Sequence, residues 1–327
     1  MTWLVTGGAG YIGAHIVRAM LEAGEPVVAL DDLSTGDADR LGDVPLVLGT
    51  VRDGDLVART LREHRVRGVV HVAAKKQVAE SVDRPLYYYE QNVDALRVLL
   101  EAVTGAGVES FVFSSSAAVY GAPDVDLVNE QTPCRPVNPY GTTKLVGEWM
   151  VADVARATGL RHANLRYFNV AGTAAPELTD RGVSNLVPMV FERLSRRLPP
   201  RIFGEDYDTP DGTCIRDFIH VADIASAHVA AARALVDGRA TALTANIGRG
   251  EGVSVRDMVR IIRTVSGTAD EQWAEPVVEP RRPGDPARVV AAADVVERAL
   301  GWRAEFGVEE MVSSAWAGWH SLASERS

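Results

Sequence analysis

A tyrosine and a lysine, Tyr140 and Lys144, lie four residues apart at the start of a predicted helix. Residues at i and i+4 share one helix face, so both side chains can face the same pocket. A free phenol has a pKa of ~10, and an ammonium ~4 Å away would stabilise its anion by about 4 kcal/mol at an effective dielectric constant of about 20. We therefore expect the phenol pKa to fall to roughly 7, which suits a base that removes a proton from a sugar hydroxyl.

Lysine is scarce in this chain, which gives weight to the lysines that it keeps. Of the 34 basic residues only Lys75, Lys76 and Lys144 are lysines, and the other 31 are arginine. A compact ammonium reaches ribose hydroxyls better than a planar guanidinium does. A solvated helix face is the alternative explanation of the Tyr/Lys spacing, but the scarcity favours a functional role for Lys144.

Glycines at positions 7, 10 and 13 follow the first predicted strand and open the first predicted helix. Such a loop allows a tight turn, a close approach to a pyrophosphate, and phosphate binding at a helix N-terminus. Asp31 ends the second predicted strand 18 residues after Gly13, where a carboxylate binds ribose hydroxyls and repels a 2′-phosphate. The pattern predicts NAD rather than NADP, with tight helix–strand packing as the alternative explanation of the glycines.

The elements that must position these residues alternate through the first half of the chain. Short apolar runs predict strands, and longer segments with apolar residues at helical spacing predict the helices between them. Strands of this kind, buried on both faces, are typical of an α/β fold with a Rossmann-like, doubly wound parallel sheet. The predicted strands are 3–5, 26–30, 45–48, 68–72 and 110–113, and the predicted helices include 56–64 and 86–103.

The second half of the chain is less regular. We predict a helix over 140–158, a strand over 160–166, a helix over 186–196, a strand and helix over 215–235, and a strand over 242–247. We expect a Rossmann domain over 1–172 and a smaller, partly interleaved C-terminal domain over 173–327. The segment 215–247 is expected to return to the main sheet.

Composition restricts the class of protein. The chain has 327 residues and a formal charge of -10, which argues against a nucleic-acid binder because phosphate contacts need a basic face. No apolar run is long enough to predict a membrane span, and the start does not resemble a signal peptide. Cys134 and Cys214 lack metal-site spacing and are expected to be reduced, with no metal bound. We expect a cytoplasmic enzyme or small-molecule binder.

Together these segments resemble the UDP-galactose 4-epimerase (UDP-glucose 4-epimerase) family of the extended short-chain dehydrogenase/reductase superfamily. The glycine loop and the Tyr/Lys pair are typical of the superfamily, whereas the segments 166–172 (RYFNVAG) and 211–221 (DGTCIRDFIHV) are much narrower. The resemblance also covers 80–82, 114–121, 138–144 and 281–285. It implies an isomerase that uses NAD to epimerise C4 of a UDP-hexose through a transient 4-keto sugar.

The resemblance implies a role for each matching residue. Tyr140 would be the base and acid, Lys144 its tuner and a ribose ligand, and Ser116 the hydrogen-bond partner of the sugar O4. Ser114 and Ser115 are expected only to cap the next element. NAD contacts would be Gly7, Gly10, Tyr11, Ile12, Gly13, Asp31, Asp32, Thr50, Val51, Val72, Ala73, Ala74, Lys76, Gln91, Tyr140, Lys144 and Phe168. UDP-sugar contacts would be Ser116, Tyr140, Asn169, Asn185, Leu186, Phe203, Arg216, Arg282 and Asp285.

The resemblance further implies a homodimer. In the related enzymes, helices equivalent to 86–103 and 145–157 pack into a four-helix interface. Both segments of this chain carry apolar residues beyond one face, which agrees with that arrangement. These residues are Leu96, Leu99, Leu100, Val146, Met150 and Val154.

Several positions depart from the family pattern and leave alternatives open. Thr50 stands where the family usually has an aspartate beside the adenine, Gln91 replaces a usual asparagine, and the loop 173–184 is unlike the family sequence. Val289 falls at the position whose bulk governs access for N-acetyl sugars and is not the large tyrosine of the strict hexose enzymes. A 4-epimerase of UDP-GlcNAc, a UDP-pentose or a UDP-uronic acid is therefore an alternative.

Two rival classes are weaker. A nucleotide-sugar dehydratase needs an acid and a base just after the active-site serine, but Ala117 and Ala118 cannot move protons. A non-catalytic NAD-binding protein would be expected to have lost Tyr140 or Lys144, and both are present.

Overall fold

A seven-stranded parallel sheet forms the centre of the fold in the computed structural model, which describes residues 1–282 and 284–324. Its order, β10-β6-β5-β4-β1-β2-β3, is that of a doubly wound sheet extended by one strand, and it confirms the predicted fold class. The strands are β1 (Thr2–Thr6), β2 (Val27–Asp31), β3 (Leu46–Leu48), β4 (Val66–His71), β5 (Ser110–Ser116), β6 (Arg161–Tyr167), β7 (Asn169–Ala171), β8 (Arg201–Phe203), β9 (Ile215–His220), β10 (Ala242–Ile247), β11 (Gly252–Ser254), β12 (Val277–Glu279) and β13 (Arg288–Val289).

Helices cover both faces of this sheet, so its central strands are buried on both sides, as their continuous apolar sequences predict. The helices are α1 (Tyr11–Glu22), α2 (Gly54–Glu63), α3 (Val78–Asp83), α4 (Pro85–Tyr88), α5 (Ala95–Gly105), α6 (Pro139–Thr158), α7 (Leu186–Ser195), α8 (Val221–Val236), α9 (Val255–Val265), α10 (Asp294–Leu300) and α11 (Val308–Ser324). One apolar core joins the sheet to α1, α8 and α10. A second core joins its other face to α2, α5 and α6.

The predicted helix over 86–103 is interrupted in the structure. Helix α4 ends at Tyr88, and a π-helical segment, Tyr89–Asp94, leads into α5. This segment turns Asn92 inward, where its amide donates to the backbone oxygen of Lys75 and to the hydroxyl of Thr143, both at 3.0 Å. Because π-helical turns often occur at functional sites, the interruption marks the neighbourhood of α6.

The segment 215–247 is divided between two sheets. Strand β10 pairs with β6 at the edge of the main sheet, and α8 packs against it. Strand β9 instead pairs with β7, β11 and β13, so the expectation that all of 215–247 returns to the main sheet is wrong for β9. The Asp217 carboxylate of β9 accepts backbone N–H groups of Arg249, Gly250 and Ala291, which ties β9 to its own neighbours.

The remaining elements gather around a third apolar core built from α7, α9, α11 and β9. Strands β8 and β12 form a small parallel pair beside it. The division of the chain into domains at residue 172 stays a prediction. Among residues 1–282 and 284–324, no helix is both long and apolar enough to cross a bilayer.

Candidate active site

The first site element is the glycine loop between β1 and α1. Gly7 has a φ of 70°, and a Cβ there would lie 2.8 Å from the backbone nitrogen of Ala73. A Cβ at Gly13 would collide with the carbonyl of Gly7. Tight packing therefore accounts for these two glycines, and the same packing holds the loop against the strand that follows.

The N-terminus of α1 is open to an anion. Gly10 precedes the helix without a side-chain cap, and the first turn has no acidic residue. The first N–H groups of a helix have no intrahelical partner and lie at the positive end of its dipole. Tyr11, Ile12 and Gly13 supply these groups, so the loop fits a pyrophosphate.

Asp31 lies at the carboxyl end of β2, directly beside the glycine loop. Its two oxygens accept the backbone N–H groups of Ala9 at 3.0 Å and Leu33 at 2.8 Å. Burial raises the pKa of this carboxyl, and the backbone hydrogen bonds oppose that rise. A Cβ at Gly36 would lie 2.9 Å from an Asp31 oxygen. The carboxylate is held in place with lone pairs left for ribose hydroxyls, so the residues present fit NAD.

Helix α6 carries the predicted Tyr/Lys pair. Pro139 occupies its first turn, and the Asn138 side chain accepts the N–H of Gly141 at 2.9 Å, which is a standard way to begin a helix. Tyr140 is 8% exposed and Lys144 is 3% exposed. Both predicted residues thus lie on the buried face of α6 that packs on β5.

The electrostatics of the pair differ from the expectation. The Lys144 ammonium donates to the carbonyl oxygen of Ser114 at 2.8 Å and lies 5.1 Å from the centre of the Phe113 ring. Burial lowers the pKa of Lys144 to about 8, against the opposing charge of Glu148. Burial also raises the pKa of Tyr140, and a hydrogen bond with Ser116 opposes the rise. The predicted fall in the Tyr140 pKa is therefore wrong for this structure, because desolvation dominates.

The three serines at the end of β5 have different partners. Ser114 is hydrogen-bonded to His228 of α8 at 2.9 Å, and Ser115 donates to Glu148 of α6 at 2.5 Å. Ser116 accepts the N–H of Ala118 at 3.2 Å and bonds Tyr140. The expectation that Ser114 and Ser115 cap the next element is wrong, since Ser116 does so. Only Ser116 contacts Tyr140 in this way.

Loops after β2, β3 and β4 carry the other predicted NAD residues, and their surroundings are mixed. Asp32 and Lys76 are exposed, whereas Val51 is buried. The Thr50 hydroxyl accepts the N–H of Arg52 at 3.3 Å. Phe168 is buried with Val289 in a small apolar cluster. Val72, Ala73, Ala74 and Gln91 are partly buried.

Four of the predicted UDP-sugar residues come together around β9. The Arg282 guanidinium lies 3.7 Å from the centre of the Phe203 ring, and Arg216 approaches Asp285 at 3.8 Å. These side chains combine an aromatic face with two guanidinium groups, which suits a base and a pyrophosphate. Pro283, within the same motif, lies outside the described residues.

The remaining predicted substrate residues lie on other elements. Asn169 is exposed at the start of β7, and Asn185 and Leu186 mark the beginning of α7. The Asn185 amide is 3.4 Å from Asp180. No group of three or more His, Cys, Asp or Glu side chains in the described part of the chain is arranged to hold a metal ion.

Sequence reasoning missed a buried polar cluster beneath the Tyr/Lys pair. It contains Glu148 of α6, Arg166 of β6, Tyr120 and Asn246 of β10, joined by hydrogen bonds of 2.5 to 2.9 Å. A signal was present, because Glu148 continues the i, i+4 spacing of Tyr140 and Lys144. A charged residue on the buried face of a helix requires a partner.

Comparison with known proteins extends the similarity over nearly the whole chain. Residues 3–248 match the model of the NAD dependent epimerase/dehydratase family. A UDP-glucose 4-epimerase of Azospirillum brasilense is 47% identical over 304 residues, which are 91% of this chain and 86% of that protein. A UDP-glucose 4-epimerase of Streptomyces lividans is 42% identical over 98% of this chain and 96% of that protein.

Solved structures show the same similarity in three dimensions. The UDP-glucose-4-epimerase of Stenotrophomonas maltophila, with bound NAD and formylated UDP-arabinopyranose, superposes with a TM-score of 0.93 at 39% identity and 99% coverage of both chains. The UDP-Glc/GlcNAc 4-epimerase of Campylobacter jejuni superposes with a TM-score of 0.85 at 35% identity, covering 98% of this chain and 99% of that one.

Proposed function

The chain belongs to the NAD-dependent epimerase/dehydratase family, and from this premise we propose that it is an isomerase that interconverts UDP-glucose and UDP-galactose at C4. The observation that carries the proposal is the buried phenol of Tyr140, bonded to Ser116 at the carboxyl end of β5. Ligands of open α/β sheets bind at this edge. The relatives described above carry the name of the same activity.

The proposed chemistry assigns a proton and an orientation to each residue. Tyr140 removes the proton of the sugar 4-hydroxyl and later returns it, while Ser116 holds the O4 oxygen by a hydrogen bond. NAD, when bound, accepts the hydride from C4 and gives it back to the opposite face of the 4-keto sugar. Lys144 adds a fixed positive charge in a dry site, where charges interact more strongly than in water.

The anchors must hold UDP firmly and the hexose loosely. The guanidinium groups of Arg216 and Arg282 can make paired charged hydrogen bonds to the pyrophosphate, and the Phe203 ring already lies against Arg282. A sugar tethered only through its UDP can turn over within the site between the two hydride transfers. This positioning is the main work of the protein in the reaction.

The direct test is incubation of the purified protein with UDP-glucose and UDP-galactose, followed by proton NMR at H4. We expect each sugar to be converted to the same mixture of the two. Absence of conversion in both directions, with NAD present, would instead favour a binding protein. Conversion to a 4-keto-6-deoxy sugar would indicate a dehydratase, which Ala117 and Ala118 argue against.

The residue Val289 supports a wider substrate range as a second candidate function. It is 7% exposed, belongs to the apolar cluster that contains Phe168, and pairs with Arg216 across β13 and β9. A valine there leaves room that a tyrosine would fill. We expect Val289→Tyr to lower kcat/KM for UDP-GlcNAc about tenfold or more, with little change for UDP-galactose. Equal losses for both sugars would contradict this role.

We propose that the protein forms a homodimer in the cytoplasm, through α3, α4 and α6. Leu96, Leu99 and Leu100 cannot take part, because they are buried in the core of the chain itself. The exposed apolar side chains are instead Leu86 at 82%, Val82 at 59% and Trp149 at 58% exposure. Apolar groups clustered in this way are typical of an interface.

Trp149→Glu is therefore expected to convert a dimer into a monomer, as light scattering at micromolar concentration would show. Aromatic side chains at the centre of an interface contribute most of its binding energy. Leu198→Glu is the control, since Leu198 is 41% exposed on the other side of the fold after α7. A wild-type monomer, or a dimer that survives Trp149→Glu, would show that this face is not the interface.

A further inference from the structure

A buried ion pair lies one helical turn beyond Lys144 on the same face of α6. Arg166 of β6 donates to both carboxylate oxygens of Glu148, from Nε at 2.8 Å and from Nη2 at 2.5 Å. The two side chains are 7% and 5% exposed. Paired hydrogen bonds of this kind fix direction as well as distance. Glu148 therefore cannot rotate without breaking both of them.

The same carboxylate is fastened to β5. Ser115 donates to Glu148 at 2.5 Å, and its neighbours Ser114 and Ser116 meet Lys144 and Tyr140. Three residues of one face of α6 thus contact three consecutive residues of β5. Of these three contacts, the one made by Glu148 is extended to a second strand by Arg166.

The network continues away from the reacting groups. Arg166 donates to the phenol oxygen of Tyr120 at 2.9 Å, and that phenol donates to Asn246 at 2.7 Å. The Asn246 amide donates to the carbonyl of Val128 at 2.8 Å. A buried network in which each member has its partners is rigid and specifies one arrangement.

We propose that Glu148 is a positioning residue for catalysis, whose carboxylate sets the rotation of α6 so that Tyr140 and Lys144 meet the end of β5. This inference rests on the epimerase function proposed above. The competing explanation is that the pair only stabilises the packing of α6. The two explanations differ in what they predict when both charges are removed together.

Paired replacement separates them. A buried ion pair can often be replaced by apolar residues of similar volume without loss of stability, whereas removing one partner is strongly destabilising. We expect the holoenzyme with Glu148→Met and Arg166→Met together to melt near the wild-type temperature and to bind UDP with unchanged affinity. Its kcat should fall about tenfold or more with KM nearly unchanged, because orientation is lost and binding is not. Wild-type kcat in this folded variant would overturn the proposal.

A matched control pair joins the same two strands at their other end. Arg161 approaches Glu109 at 3.2 Å, with the side chains 25% and 42% exposed. Glu109→Gln with Arg161→Met should leave kcat unchanged. An equal fall in kcat in this control would assign the effect to general stability and would also overturn the proposal.

A second readout needs no substrate. The chain has three lysines, so ¹³C-lysine labelling gives three ε-carbon signals, which Lys75→Arg and Lys76→Arg assign by elimination. The titratable groups around Lys144 are Glu148 and Tyr140 of α6, His71 of β4 and Tyr167 of β6. Burial lowers the pKa of His71 to about 3, so this imidazole stays neutral in the titration.

Glu148→Gln keeps the shape of the side chain and removes its charge. Since the Glu148 charge opposes the lowering of the Lys144 pKa, we expect that pKa to fall below its wild-type value of about 8. Glu148→Asp, which keeps the charge, should restore part of both the pKa and kcat. An unchanged Lys144 pKa in Glu148→Gln would refute the coupling. Because this titration does not depend on turnover, a wild-type protein that fails to epimerise UDP-sugars would count against the proposed function alone.

Discussion

Tyr140→Phe is expected to abolish the interconversion of UDP-glucose and UDP-galactose while leaving the fold and the affinity for UDP unchanged. The substitution removes one oxygen from a side chain that is 8% exposed, and the ring that packs under β5 remains. A general acid or base contributes about 10²–10⁴-fold to a rate. Tyr140 would serve as both in this reaction, so kcat should fall by the upper end of that range.

The measurement is proton NMR at H4 for turnover and calorimetry for UDP binding. Tyr87→Phe is the matched control, because it removes a phenol oxygen from a half-buried tyrosine that stacks on Arg84 rather than on the site. It should retain kcat within about a factor of two, as substitutions away from functional features usually do. More than a tenth of the wild-type kcat in Tyr140→Phe would show that another group moves the proton.

Lys144→Arg is expected to cost most of the activity although it keeps a positive charge. The Lys144 ammonium is 3% exposed and donates to the Ser114 carbonyl at 2.8 Å, with the Phe113 ring beside it. A planar guanidinium is larger and needs several acceptors in its plane, and overpacking a closed site costs about 1–3 kcal/mol. Displacement of Tyr140 by the larger group would lower kcat roughly 10²-fold.

Lys75→Arg is the control for that substitution. Lys75 donates to the Ser34 hydroxyl at 3.0 Å on the surface of the protein, and an arginine can keep that bond. Its kcat should stay within about a factor of two of the wild type. NAD retained after purification, measured by absorbance of the denatured protein, separates loss of cofactor from loss of chemistry. Equal kcat in the two variants would contradict a special role for Lys144.

Local patterns were sufficient wherever neighbours in sequence determine the outcome. The strand 242–247 and the start of the helix at 139–140 were predicted within a residue, since apolar runs and the Asn-Pro start are local signals. Asp31 was predicted from its distance to the glycine loop and lies beside it. These features follow from short-range geometry that the order of residues already contains.

Errors occurred where distant residues compete. The helix over 86–103 was predicted as continuous, but Asn92 bonds Lys75 and Thr143 and the helix widens into a π-helical turn. The strand 215–220 was expected in the main sheet, but Asp217 holds it in another. In both cases a buried polar side chain needed partners that no local pattern specifies.

The amino-acid sequence by itself determined the doubly wound sheet, the cofactor loop and the presence of a tyrosine and a lysine on one helix face. It could do so because burial periodicity and glycine conformation act over a few residues. Only the tertiary structure decided the charge state of that pair. Burial raises the pKa of Tyr140 and lowers that of Lys144, since desolvation depends on every element packed around a group. The contact between Glu148 and Arg166 was likewise decided by packing, because it joins a helix and a strand that only folding brings together.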